Sequence, residues 1–358
     1  MTDTPPARRA ARVTLREVAE RAGVSRSAVS FVMNGRTDQR LSDDVFDRVR
    51  RAADELGYRP NITAQTLRTG RSGTVALVSD FVSSTSFANS MVRGAMQELR
   101  EHDTLLFTVD TQGDADLEDQ LLHSLLGRNI DGVIYASMFT RTVTLPRVLE
   151  GVPTVLLNCV TVDGSIDAVV PDEIAAGRDA ARMLLDHGHR DGIWFVGALP
   201  AGSRGGAAWP EWDPIALTER LAGIDQVLTA AGTTLAGVTA IDDDWDVANG
   251  RRAVSRMLAE ARDAPTALVC ANDALAVGAY QALHHAGLSV PADVSVIGFD
   301  GSPYARAVEP ELTSIALPHI ELGRQAAARL AAPGDSPRIE RVPMPIRVGG
   351  SVGGPPSL

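Results

Sequence analysis

The chain has 358 residues, 34 basic and 45 acidic, for a net charge of -11, and 44% of it is hydrophobic. That length holds two or three domains with a sizeable core. No apolar run is long enough for a membrane span, and the opening MTDTPPARRAARV lacks the apolar stretch and cleavage site of a secretory signal. The two cysteines, Cys159 and Cys270, stand far apart and outside any metal or redox spacing, so reduced thiols and a cytoplasmic protein are expected. Every basic residue is arginine, and charge is unevenly spread: residues 1–73 hold 14 Arg against 9 acids, a balance of +5, while the remainder carries -16. A basic head can approach phosphates that repel the acidic body.

The first predicted elements are three short helices. Thr14-Leu15-Arg16-Glu17 is a capping box, after which Leu15, Val18, Ala19 and Ala22 share one face. Gly23 stops this helix and Val24 anchors the turn. Ser25 is an N-cap for a second helix with inner face Ala28, Val29, Val32 and Met33, ended by Asn34-Gly35. Ser42 caps a third, with Asp43 and Asp44 beside its positive end; Val45, Val49, Ala52, Ala53 and Leu56 line its core face and Gly57 closes it. Such an arrangement is a helix-turn-helix. Its second helix fits a major groove, with Arg26, Ser27 and Ser30 pointing outward. Two roles are open to Phe31: packing on a thymine methyl, or turning inward to the helix bundle.

The stretch TLREVAERAGVSRSAVSFVMNG resembles the DNA-binding head of the LacI/GalR (lactose-repressor) family of transcriptional regulators, sharing T-L-x-x-V-A-x-x-A-G-V-S-x-x-x-V-S-x-V-x-N. The likeness runs on through LGYRPNITAQTLRTGRSGTVALV. It implies a hinge over residues 61–73 that folds into a short helix on operator DNA, with Ala64 and Leu67 at the duplex and Leu67 as an intercalating wedge. It also implies that Arg26 and Ser27 touch base edges while Thr14, Ser25, Ser30 and Asn34 position the backbone. Ala28 and Phe31 depart from the family pattern, where threonine and arginine are usual, so the half-site opposite Phe31 is expected to differ from the family's.

From Thr74 onward short apolar strands alternate with amphipathic helices. The strands are TVALVS, TLLFTV, GVIYAS, TVLLN, IWFVG, ALVCA and VSVIGF; the helices include 91–100, 117–126, 174–186, 218–231 and 274–286. This alternation predicts parallel sheets covered on both faces, in two similar lobes, with ligands at the carboxyl ends of strands. The region resembles the family's periplasmic-binding-protein-like core, most closely over PTALVCANDALAVGAYQALHHAGLSVPADVSVIGFDGSPYARAVEPELTSI. The expected fold is therefore an all-α helix-turn-helix head, residues 13–60, plus an α/β core of two Rossmann-like lobes. The resemblance assigns 74–171 with 302–332 to the first lobe and 172–301 with 333–358 to the second, the chain crossing near Asp172, Gly301 and Pro333.

Carried over position by position, the resemblance implies an effector pocket containing Asn158, Arg220, Trp245, Asn272 and Asp300, with Phe87 as a first-lobe wall. Amides, carboxylates, an arginine fork and an aromatic face suit a polyol. Other roles stay open: Asn272 as the cap of the next helix, Trp245 as core, and the Gly-rich segment 200–214 as a lid or a plain surface loop. Asp242, Asp244 and Asp246 are spaced like a calcium loop but lack glycine at Val247 and glutamate at Ala253. His187 and His189 read as a polar turn after a helix. No nucleotide loop, nucleophile elbow or catalytic constellation is found, so neither cofactor, metal nor enzyme activity is expected. The partners implied are operator double-stranded DNA, a small-molecule effector, sugar-like before nucleobase-like, and a second copy in a homodimer, with no membrane. The tail VGGSVGGPPSL has no heptads, which favours a dimer over a tetramer. The alternatives are a regulator dependent on a nucleobase-type corepressor, an activator, or a solute-binding protein or enzyme on the same fold.

Overall fold

The computed structural model describes residues 13–33, 41–59, 66–67, 69–80, 86–198, 215–241 and 244–356. The chain forms two units, Met1–Ser72 and Gly73–Leu358.

The first unit contains α1 (Leu15–Ala22), α2 (Arg26–Met33) and α3 (Asp43–Leu56). The capping box is formed: Thr14 N–H donates to the Glu17 carboxylate at 2.7 Å and Glu17 N–H donates back to Thr14 Oγ1 at 3.4 Å. Gly23, at φ 66°, takes the left-handed conformation that ends α1 and turns the chain directly into α2. Ser25 Oγ accepts from Ala28 N–H at 3.1 Å, which caps α2. Ser42 departs from expectation: it stands at the N-cap of α3 but its side chain makes no capping bond. The N-terminus of α3 is left to the charges of Asp43 and Asp44 in its first turn. Val18, Val29 and Val49, one from each helix, are fully buried at the centre of the core. Each contributes roughly 1.5–3 kcal/mol of burial.

The second unit carries, in order, β1 (Thr74–Ser79), α4 (Ser86–Glu101), β2 (Leu105–Asp110), α5 (Ala115–Leu126), β3 (Gly132–Thr142), β4 (Thr154–Val160), β5 (Ala168–Pro171) and α6 (Glu173–Asp186). It continues with β6 (Ile193–Ala198), α7 (Ile215–Ala230), β7 (Gly237–Ala240), α8 (Val247–Glu260), β8 (Ala267–Cys270), α9 (Asp273–His285) and β9 (Ser295–Asp300). Last come β10 (Thr313–Ala316), α10 (His319–Ala331), β11 (Ile339–Val342) and β12 (Ile346–Arg347). One sheet is ordered β11-β5-β4-β3-β1-β2 and is parallel throughout; the other is ordered β12-β10-β9-β8-β6-β7, with only β12 antiparallel. The central strands are apolar on both faces, as a sheet covered by helices on each side requires.

The chain crosses between lobes three times, at Asp172, at residues 317–318 and at residues 343–345. The second and third positions correct the expected Gly301 and Pro333. Residues 302–316 stay with the second lobe because β10 pairs parallel to β9, Thr313 opposite Ile297. β11 stays with the first lobe, pairing with β5. The short TSIA strand buries two hydroxyl side chains, Thr313 and Ser314, and so lacks the apolar run that marks a central strand.

Helices pair through glycines. A Cβ on Gly94 of α4 would lie 1.9 Å from the Ile320 carbonyl of α10, and one on Gly323 of α10 would lie 1.9 Å from that of Met91. The same reciprocal contact joins α6 to α7, at 2.1 Å for Gly177 against Arg220 O and 2.2 Å for Gly223 against Ile174 O. Gly250 and Gly278 join α8 to α9 in the same way. In each pair the backbones touch.

Candidate functional site

Five of the six residues assigned to the effector pocket surround one cavity between the lobes. Asn158, Arg220, Trp245, Asn272 and Asp300 line about 220 Å³ together with Met138, Phe139, Thr140, Glu173, Leu217, Leu317 and His319. The carboxyl ends of β3 and β4 form one wall and those of β8 and β9 the other, with α7 and the crossings at 172 and 317–318 closing the sides. Phe87 falls in α4, but its side chain lies outside the described residues, as does the 200–214 segment.

Arg220 is held from three sides. Its Nε and Nη2 donate to Glu173 Oε2 at 2.8 and 2.7 Å, and Nη1 donates to the Ala271 carbonyl at 2.6 Å. The guanidinium carbon sits 3.9 Å from the centroid of the Phe299 ring. Arg220 is 4% exposed and Glu173 1%, so this is a buried ion pair whose desolvation is offset only by its geometry. Burial raises the Glu173 carboxyl above its ordinary value, against the opposing pull of Arg220.

Asn158 has φ 59° and a side chain engaged at both ends: its amide donates to Ser137 O at 3.0 Å and its carbonyl accepts from Thr140 Oγ1 at 2.6 Å. Asn272 fills the capping role left open above, with Oδ1 accepting from Leu275 N–H at 2.8 Å and Nδ2 donating to Trp245 O at 3.0 Å. It therefore fixes the Trp245 backbone as well as starting α9. Trp245 combines wall and core: it packs on the second-lobe core and meets Phe139 edge to face, centroids 6.5 Å apart. Asp300, at φ 100°, is half-buried, and no hydrogen bond or ion pair reaches its carboxylate among the described residues. Burial first, and then the nearby Asp273 charge, raise its carboxyl well above the ordinary range. Burial also lowers His319, to about 4, so it is neutral near pH 7.

Sequence reasoning missed Met138, Phe139, Thr140, Glu173 and His319. The first three lie where β3 shifts register against β4, between Ala136 and Arg141. Asp80 supports that irregularity by accepting from Met138 N–H and Ser137 Oγ, both at 3.0 Å. Glu173 follows the first crossing and His319 the second, so the crossings were the signal for both.

In the head, Arg26 and Ser27 are exposed at the start of α2, and Ser30 and Phe31 are half-buried on it. Ala28, on the same helix, is buried. Thr14 and Ser25 act as caps. Thr66, Leu67 and Thr69 are helical, and Leu67 is 84% exposed; Asn34 and Ala64 lie outside the described residues. No group of three metal-ligating side chains, and no helix long and apolar enough to cross a membrane, occurs among the described residues. Asp246, once weighed as a calcium ligand, caps α8 by accepting from Asn249 N–H at 2.7 Å.

The family described as bacterial regulatory proteins, lacI family, matches residues 14–61, and that described as periplasmic binding proteins and sugar binding domain of LacI family matches residues 73–348. The ribose operon repressor of Escherichia coli (strain K12) is 30% identical over 315 residues, 87% of this chain and 90% of its own. The sucrose operon repressor of Escherichia coli is 30% identical over 344 residues, 94% and 98% of the two chains. Among solved structures, the transcriptional regulator CelR–cellobiose complex has a TM-score of 0.64 at 30% identity, covering 95% of this chain and 100% of that one. The lac repressor dimer bound to operator and the anti-inducer ONPF shares the fold at a TM-score of 0.74 and 24% identity, covering 96% and 100%.

Proposed function

Because the chain belongs to the lacI family of bacterial regulatory proteins, and is thus a transcriptional regulator rather than an enzyme, we propose that it represses a carbohydrate-utilisation operon until a small sugar-like effector enters the cavity between its lobes. The observation that carries this reading is the cavity itself. It sets aromatic and apolar walls around a few polar groups at the carboxyl ends of parallel strands, the arrangement that suits a polyol. The names of the relatives, repressors of ribose and sucrose operons, support the carbohydrate assignment.

In this reading Arg26 and Ser27 contact base edges, Thr14, Ser25, Ser30, Phe31 and Asn34 complete the head's contact with the duplex, and Ala64 and Leu67 enter the minor groove from the hinge. The protein works in the cytoplasm as a homodimer on an approximately palindromic operator. The edge strand β2 supports dimerisation: it exposes Leu105 and Phe107, at 58% and 40%, and its neighbour α4 exposes Met96 at 55%. Such an apolar edge calls for a partner. The effector acts through its differential affinity for two states of lobe closure.

Gel-shift of the intact protein on its own upstream region tests the proposal. Salt-sensitive, sequence-selective binding that a free sugar releases is expected. Binding that a purine base strengthens instead would establish the corepressor alternative, and absence of selective binding would defeat both.

A further inference from the structure

Two adjacent residues of α7 grip opposite sides of the junction between the lobes. Arg220 binds Glu173, the first residue after the crossing at Asp172, inside the second lobe. Glu219 binds Arg341 of β11, a first-lobe strand, and only Val342 separates Arg341 from the crossing at 343–345. The two crossings lie side by side, since Asp172 N–H donates to the Val342 carbonyl at 2.9 Å. Arg341 Nη1 donates to Glu219 Oε2 at 2.7 Å and Nη2 to Oε1 at 2.6 Å, a parallel fork that fixes orientation as well as distance. Of the ion pairs between described residues, this one alone joins the lobes.

We propose that the Glu219–Arg341 fork is the tie that sets the angle between the lobes, and that α7, carrying Glu219 beside Arg220, relays displacement at the cavity to the first lobe. The tie stands on this geometry alone; the relay rests on the effector reading above. The side chains of Arg341 and Glu219 are 36% and 18% exposed, so salt weakens the fork, whereas the Arg220–Glu173 pair, 5% and 1% exposed, is screened far less. Asp172 and Glu173 also attract Arg341. Loss of Glu219 therefore leaves that cation compensated, and frees the angle rather than unfolding the chain. A lysine at 341 would keep the charge and lose the fork.

Pulsed spin-label distances within one subunit of the full chain test the tie, with labelled chains diluted into unlabelled ones. Labels at Glu150→Cys and Asp263→Cys sit on exposed positions toward the amino ends of β4 and β8, one on each lobe, and the buried Cys159 and Cys270 escape labelling. One narrow distance is expected at low salt, broadened at molar sodium chloride. Glu219→Gln and Arg341→Gln should each broaden it and abolish the response to salt, the double variant should match the singles, and Arg341→Lys should fall between. A distribution unchanged in both single variants, or effects that add in the double variant, overturns the proposal. For the relay, the concentration of free ribose or sucrose that half-releases the operator should shift about fivefold or more in Glu219→Gln, with random-duplex binding unchanged. An unshifted concentration overturns the relay. If neither sugar releases the wild-type protein, the sugar reading loses its support while the distances still decide the tie.

Discussion

Arg220 contacts the cavity with one part of its guanidinium and anchors the second lobe with the rest, so its two roles have to be separated by design. Arg220→Ala leaves the Glu173 carboxyl buried and unpaired, and a loss of about 3–5 kcal/mol is expected in chemical denaturation. The double change Glu173→Leu with Arg220→Met should recover most of that stability while the effector response stays lost. A response retained in the stable double variant would remove Arg220 from the binding surface. His319 makes a second prediction. Its folded value of about 4 lies below the ordinary 6.5 of a histidine, so between those pH values the unfolded chain holds a proton that the folded chain lacks. Stability from this residue is therefore present above about pH 6.5 and falls as pH drops toward 4, by about 3 kcal/mol. Asp300, Asp273 and Glu173, raised by burial, act with the opposite sign. The comparison is thus of melting temperature against pH in wild type and His319→Leu, with the acid-side loss smaller in the variant. At this scale the sequence revealed residues that occupy matched motif positions, such as Asn158 and Asp300. It concealed those placed by an irregularity or a crossing, such as Phe139 and His319, whose neighbours in space are remote in the chain.

Among the elements, those with local signals were legible. The capping box at Thr14 and the glycine at 23 mark α1, and TVALVS marks β1 over the same six residues the structure assigns. The DDDWD stretch fails as a calcium loop by its own sequence, and its last aspartate caps a 14-residue helix. β11 and β12, whose IERV and IR carry charge at sheet edges, gave no strand pattern. The recognition helix and the hinge each carry a test. Phe31→Arg should change the preferred base opposite that position in a randomised-operator selection; an unchanged preference would place Phe31 with the bundle. Leu67 is helical and almost wholly exposed, an arrangement without packing benefit in the free chain. Leu67→Ala should weaken operator binding tenfold or more and barely alter binding to random duplex, since a wedge matters only where the DNA is kinked. Equal losses on both would mean that the segment is a plain linker.

On the scale of the whole molecule, the alternation of strands and helices announced two lobes, but which lobe owns residues 302–342 depends on pairings that no local pattern encodes. The exposed β2 edge matters at this scale too. Phe107→Glu with Leu105→Glu should give monomers in sedimentation and lose high-affinity operator binding while effector binding persists; a variant that stays dimeric would move the interface elsewhere. The glycine-paired helices bear on how a signal travels through the body. Side chains that interdigitate can slip past one another by a rotamer or a fraction of a turn, but backbones in direct contact through paired glycines leave no slack for sliding. Shear within a lobe is thereby suppressed, and each lobe behaves as a stiff jaw. Any change of lobe closure under the proposed effector response is therefore expected at the three crossings, where a turn of a few degrees would displace the far ends of the lobes by ångströms.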